Sequence, residues 1–275
     1  MNTLIIVPTD FSAASVSAAA YAADFATAIN AQLALVHIWH YPMISDVPVS
    51  ADFIDQLIQD ATDNIEQARK DLIRKTSGKL SVTASVREGF FINEMQSMCA
   101  EQADPIVIMG AHVTTNTERI IFGSTILSAV RNLTCPLIIV PNGTRFTGIH
   151  VAGLACDLRD VPRTVHTHEL HRLFNQFHPT LNVLHVSSTE HGMLDEEEVK
   201  GSNWLKSVLG AYHPAFHFIQ DKNVSEAIKE FAGRNNLDLL VIIPKKHGLF
   251  NRLLHKSQSK QMVINTRVPI LSVHE

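Results

Sequence analysis

Two glycines, the second followed by two hydroxyl side chains, carry the clearest chemical opportunity in this 275-residue chain. Gly110 closes the apolar run that starts at Ile106. Ala111, His112 and Val113 follow, nine residues run from Thr114 to Phe122, and Gly123, Ser124 and Thr125 then open a stretch with helical spacing. A glycine at a strand end lets the backbone approach a ligand closely, and free N–H groups beside hydroxyls at a helix start suit an anion. Together they can cradle phosphates, with His112 as a further phosphate contact. The same residues also fit a tight turn at Gly110, an ordinary N-cap at Ser124 and an exposed loop histidine at His112.

Other constellations offer less. The chain has no Gly-x4-Gly-Lys-Ser/Thr loop, no Gly-x-Ser-x-Gly elbow and no paired carboxylates with a matched nucleophile, so it reads as a non-enzyme in which any phosphoryl transfer would be slow and incidental. Among 15 histidines the densest run is His166, His168 and His171; its spacing is not that of HExxH, and it reads as a solvated helix face rather than a metal site. Cys99, Cys135 and Cys156 lack zinc-ligand spacing and read as small buried residues. The acidic run Asp195 to Glu198 has no basic partner cluster nearby and reads as the charged first turn of a helix.

The elements that must position these residues occur twice. LIIVPTDFS returns as HVAGLACDL, placing Asp157 opposite Asp10 at an offset of 147; ALVHIW returns as NVLHVS, with His185 opposite His37 at 148; TCPLIIV returns as RVPILSV, with Pro269 opposite Pro136 at 133. The falling offset assigns the first copy extra sequence between Tyr41 and Lys79. Apolar runs alternating with helical periodicity predict β-α units and a parallel sheet in each copy. First-copy strands are expected at 3–8, 33–38, 81–87, 106–110 and 137–140, with helices at 12–29, 50–77, 92–102 and 124–133. Second-copy strands are expected at 150–155, 181–186, 215–219, 239–243 and 270–273, with helices at 161–177, 195–209, 224–235 and 259–265. Right-handed crossovers make each copy an open, doubly wound, five-stranded α/β domain, 1–143 and 148–275, joined by a Gly143 to Gly148 linker. The closing strands around Pro136 and Pro269 would be sheet edges, and the two halves can pair them into an internal pseudo-dimer; whether a homodimer follows stays open.

At these residues the chain resembles the universal stress protein family, in its tandem two-domain form. VPTDFS, ALVHIW, the Gly110 to Ser124 segment and TCPLIIVP carry the resemblance, and the second copy repeats three of the four. Nucleotide-binding members show G-x2-G-x9-G-S/T, whereas this chain has Val113 at the middle glycine. The resemblance implies Rossmann-like domains of the adenine nucleotide alpha hydrolase type that hold ATP or another adenine nucleotide, with or without Mg, at the strand ends. Pro8, Thr9 and Asp10 would line the adenosine pocket, the Asp10 carboxylate accepting from ribose hydroxyls or the adenine amino group. Gly110 would let ribose and phosphates pass, and Gly123, Ser124 and Thr125 would donate to the phosphates. Where that backbone needs positive φ or lies on a phosphate, β-branched Val113 is poorly tolerated, and the site would be vestigial, with no cofactor. In the second copy Ala155 and Cys156 replace the Pro-Thr pair, Ile243 replaces Gly110 and Lys256 replaces Gly123, so that site reads as degenerate.

The implied function is a stress-response regulator or sensor binding an adenine nucleotide in domain 1 and acting on an unidentified regulatory protein; the alternative is a nucleotide-independent interaction module. An enzyme of the wider group would need a glycine-serine loop after the first strand, where Pro8-Thr9-Asp10-Phe11 stands. With 23 Lys+Arg against 27 Asp+Glu, nucleic acid is not an expected partner. Apolar runs stop far short of the roughly 20 residues of a membrane span, and Leu4 to Val7 has no basic residue before it, so the expected location is cytoplasmic.

Overall fold

The computed structural model describes residues 3–41, 50–114, 119–165, 167–187, 194–243, 262–264 and 267–273. In the first half β1 (Leu4–Pro8), β2 (Gln32–Trp39), β3 (Val82–Glu88), β4 (Pro105–Thr114), β5 (Arg119–Phe122) and β6 (Leu137–Pro141) are interleaved with α1 (Ala13–Ala28), α2 (Ala51–Lys75), α3 (Phe91–Ala100) and α4 (Ser124–Asn132). In the second half β7 (Val151–Ala155), β8 (Thr180–Ser187), β9 (Ala215–Gln220), β10 (Leu239–Ile242), β11 (Met262–Ile264) and β12 (Ile270–Ser272) are interleaved with α5 (Val161–Thr164), α6 (Thr167–Phe177), α7 (Glu196–Val208) and α8 (Val224–Arg234). The inner strands β1 and β6 share the sequence LIIVP and are apolar throughout, because helices cover both faces of the sheet.

Ten strands form one sheet in the order β3-β2-β1-β4-β6-β12-β10-β7-β8-β9. Every neighbouring pair in that row is parallel except β6 and β12, which meet antiparallel with Ile139 opposite Ile270. The two closing strands thus cover each other's edges, and the expected pseudo-dimer is a continuous sheet. One apolar layer takes residues from α1, α2, α5, α6 and α7, and the other from α3, α4 and α8.

The halves are also joined off the sheet. Phe146, between β6 and β7, meets Tyr21 edge-on at 5.3 Å, Phe25 at 5.4 Å and Phe177 at 5.7 Å, so α1 and α6 share one aromatic seam. Burial pushes the Tyr21 phenol far above its usual pKa, and Asp238 adds to the shift. A second link between the halves is polar: Arg172 of α6 pairs with the buried Asp104, which precedes β4.

Several expectations need correction. β4 does not end at Gly110 but runs to Thr114, and the anticipated nine-residue loop contains β5, antiparallel to the end of β4 with Val113 opposite Ile120. β5 in turn pairs antiparallel with β11 of the second half. Residues 262–264 are therefore strand rather than part of the helix expected at 259–265, the rest of which lies outside the described residues apart from the same three. A Met-Val-Ile run with β-branched residues finds a strand partner here, which local spacing does not reveal. The helix expected at 161–177 is interrupted: α5 stops at Thr164 and Val165 is extended before α6 begins. Cys99, near the end of α3, and Cys135, just before β6, are paired as a disulfide with Cα atoms 6.4 Å apart. A separation of 36 residues gave no local sign of that pairing.

Candidate functional site

The turn after β1 is built from its own polar side chains. Phe11 sits at φ 62°, an uncommon left-handed position for a residue with a Cβ. Its N–H donates to Thr9 Oγ1 at 3.1 Å, and its ring stacks on His37 at 4.8 Å. His37 Nδ1 lies 2.8 Å from the Thr9 carbonyl oxygen, closing the turn against β2. Ser12 caps α1 by accepting from the Ser15 N–H, and the Ser12 N–H donates to Asp10 Oδ1 at 3.1 Å. Burial works to raise the Asp10 pKa, but hydrogen bonds from Ser12 and Ser15 outweigh it and hold the carboxyl below its usual range. Asp10 is therefore an exposed, ionised acceptor on a fixed turn, whereas Thr9 is buried and its hydroxyl lies 3.1 Å from Ser15 Oγ.

The second half repeats this turn with different chemistry. Leu158 stands at φ 60°, its N–H donating to Cys156 Sγ at 3.3 Å; the Arg159 N–H donates to Asp157 Oδ1 at 3.2 Å; His185 Nδ1 lies 3.3 Å from the Cys156 carbonyl oxygen. The paired histidines thus serve the turn in both copies. Arg159, in the place of Ser12, reaches Asp195, Glu197 and Glu198 at the start of α7. The acidic run accordingly has a basic partner, supplied from 36 or more residues upstream and so invisible in local sequence. An ion-pair network covers the second turn where the first has a serine.

Beside the first turn lies a cavity of about 260 Å³ at the carboxyl ends of β1 and β4. Pro8, Thr9, Asp10, Ser12 and Ser15 form one wall, Met109, Gly110 and His112 of β4 another, and Gly123, Thr125 and Ile126 a third, with Ile38 and Phe91 closing it. Seven of the nine residues singled out from sequence meet here: Pro8, Thr9, Asp10, Gly110, His112, Gly123 and Thr125. Ser124 opens α4 and is exposed but is not among the described wall residues. Val113 lies on the β4 backbone one residue past His112, in extended strand conformation rather than at positive φ, and a β-branched residue is at home there. Ser12, Ser15, Ile38, Phe91, Met109 and Ile126 were not anticipated. Ser12 and Ser15 were findable, since a first-turn serine pair follows directly on Asp10; Phe91 comes from α3 and has no such signal.

The two glycines do different work. A Cβ on Gly110 would lie 2.1 Å from the Ala14 carbonyl oxygen, so its first duty is to let α1 press against β4. A Cβ on Gly123 would meet nothing within 4 Å, so that position faces open space. Gly123 is the N-cap of α4 and supplies no side-chain cap, leaving the first-turn N–H groups to other partners. The starts of α1, α3 and α4 all reach the cavity, and its described walls hold no lysine or arginine. Such a site attracts negative charge through aligned peptide dipoles and N–H donors at one end, while Asp10 accepts hydrogen bonds at the other. Among the described residues no cluster of His, Cys, Asp or Glu is placed to hold a metal ion, and no helix is long and apolar enough to cross a membrane.

Comparison with known proteins agrees with this architecture. Residues 1–141 match the sequence model of the universal stress protein family. A universal stress protein of Methanocaldococcus jannaschii is 24% identical over 138 residues, covering 50% of this chain and 80% of that protein. Among solved structures, a universal stress protein from Archaeoglobus fulgidus superposes with a TM-score of 0.73 at 15% identity, covering 98% of each chain. A putative universal stress protein from Pseudomonas aeruginosa gives a TM-score of 0.53 at 12% identity, covering 100% of this chain and 93% of that one. The full-length superpositions show that the tandem arrangement is shared.

Proposed function

Because the chain belongs to the universal stress protein family, we propose that its first half, 1–143, binds ATP or another adenine nucleotide and that the chain acts as a cytoplasmic stress-response regulator. The observation that supports this is the convergence of seven of the residues named from the sequence and its resemblance on one cavity, one wall of which is the uncapped start of α4. At about 260 Å³ the cavity is slightly smaller than typical ligand pockets of about 300 Å³ or more, which suits a nucleoside inside and phosphates at the mouth. In this reading Asp10 accepts from the ribose or adenine, and Gly123, Ser124 and Thr125 donate to the phosphates. The role in this reading is binding rather than turnover, in keeping with a sequence that carries no Gly-x4-Gly-Lys-Ser/Thr loop. The second half, 148–275, is read as non-binding, since Arg159 and its acidic partners cover its turn.

A nucleotide-independent interaction module is the second reading, and one observation favours it. β5 is tied to β11 of the other half, so the strand that leads into Gly123 is committed to a contact between the halves. Calorimetric titration of ligand-stripped protein with ATP, ADP and AMP separates the two. Saturable binding at one site per chain, lost in Gly123→Lys, is the expected result; no heat at millimolar nucleotide refutes the first reading and leaves the second.

A further inference from the structure

Among the described residues one pair of sulfur nucleophiles meets, and it lies at the far ends of two helices that wall the cavity. Cys99 is at the C-terminal end of α3, and Cys135 follows closely on α4; the opposite ends of the same helices place Phe91 and Gly123 against the cavity. We propose that Cys99 and Cys135 form a reversible dithiol–disulfide site, through which oxidation fixes α3 against α4 and so orders the cavity wall. Without the bond, the named polar link between these helices is Gln96 Nε2 donating to the Asn132 carbonyl at 2.8 Å, beside apolar packing in a shared layer. A ten-residue helix is about 15 Å long, so a tilt of about 5° at one end moves the other by about 1 Å. That displacement matters to hydrogen bonds at the mouth.

Both cysteines are about 5% exposed, and they line a cleft of about 450 Å³ between the halves, beside Asp104 and Arg172. The cleft gives a small thiol or disulfide a route to buried sulfur. In the oxidation, one cysteine thiolate attacks a low-molecular-weight disulfide, releasing one thiol and leaving a mixed disulfide. The second cysteine then displaces the second thiol, so that two S–H bonds are exchanged for one Sγ–Sγ bond and the reagent carries away two electrons and two protons. Reduction is the reverse. The effect on the helices stands on its own; its effect on a ligand rests on the nucleotide reading above.

The test equilibrates the full chain in glutathione buffers of stepped ratio and identifies the Cys99–Cys135 linkage by peptide mass. Amide exchange over 91–95 and 123–127, and ATP titration, are measured on both forms and on Cys99→Ala. The expected result is reversible linkage, slower exchange of both segments in the oxidised form, ATP binding tightened about fivefold, the low end of ordinary coupling between sites, and no redox response in the variant. A pair that does not link, or identical exchange in both forms, overturns the proposal. If exchange responds while neither form binds ATP, the dithiol site stands and the nucleotide reading fails. Equal ATP affinity in both forms refutes the coupling to ligand.

Discussion

Replacing Gly110 with alanine tests whether that glycine serves helix packing before it serves a ligand. The new Cβ would lie 2.1 Å from the carbonyl oxygen of Ala14 and 2.5 Å from its carbon. An ordinary C···O contact is about 3.3 Å, so roughly 1 Å must be recovered by shifting the first turn of α1. The obstacle is backbone, not a flexible side chain, and overpacking of that kind costs about 1–3 kcal/mol. At about 2–4 °C per kcal/mol for a chain of this order, the melting temperature should fall by about 2–12 °C. Gly123→Ala is the matched control: its Cβ meets open space, and the only cost is a poorer N-cap, about 1 kcal/mol or less. Thermal and urea unfolding followed by circular dichroism give the comparison, and ATP titration of both variants follows. Gly110→Ala should lose stability and binding together, because the shifted turn carries Ser12 and Ser15. A melting temperature within about 1 °C of the parent would refute the reasoning, since α1 would not then be seated on β4 as described.

Asp10→Asn tests the turn electrostatically. A carboxyl whose folded pKa lies below its unfolded value contributes stability that is full above about pH 4 and is lost as pH falls through the folded pKa. The parent should therefore exceed the variant in stability at pH 6, and the gap should close as pH falls below about 4; a gap that stays flat on acidification contradicts the assigned hydrogen bonds. Phe146→Ala tests the aromatic seam. Phe146 is partly exposed, so the loss should be about 2–3 kcal/mol in urea unfolding, below the full range for a buried phenylalanine. A change under about 0.5 kcal/mol would mean that the seam does not hold the halves together.

The double repeat was legible because buried parallel strands must be nearly all apolar and must end in polar turns, and LIIVPTD and HVAGLACD satisfy both conditions at matching spacing. The same logic located Pro8, Thr9 and Asp10 at a strand end and Gly123 at a helix start, where an open sheet keeps its crevice, whereas Gly110 lies inside β4 rather than at its end. What stayed hidden were partnerships between distant segments. β5 and β11 become strands only because they find each other across the halves. Arg159 meets its carboxylates through the return of β8, and Cys99 meets Cys135 through the packing of α3 beside α4. Gly110 was visible as a special position, but its reason was not, since the carbonyl it accommodates belongs to Ala14.

The antiparallel meeting of β6 and β12 puts the partner of each closing strand on the same chain. Dilution cannot separate such a pair, because the linker keeps the local concentration of each half high whatever the bulk concentration. A symmetric dimer must carry every substitution twice, once in each copy of the site. Here each half accumulates changes alone, which is how one turn can keep Ser12 while its counterpart acquires Arg159 and three acidic partners. On the proposed reading of one nucleotide cavity per chain, occupancy of the isolated chain would follow a simple hyperbola with no cooperativity, a graded response rather than a switch.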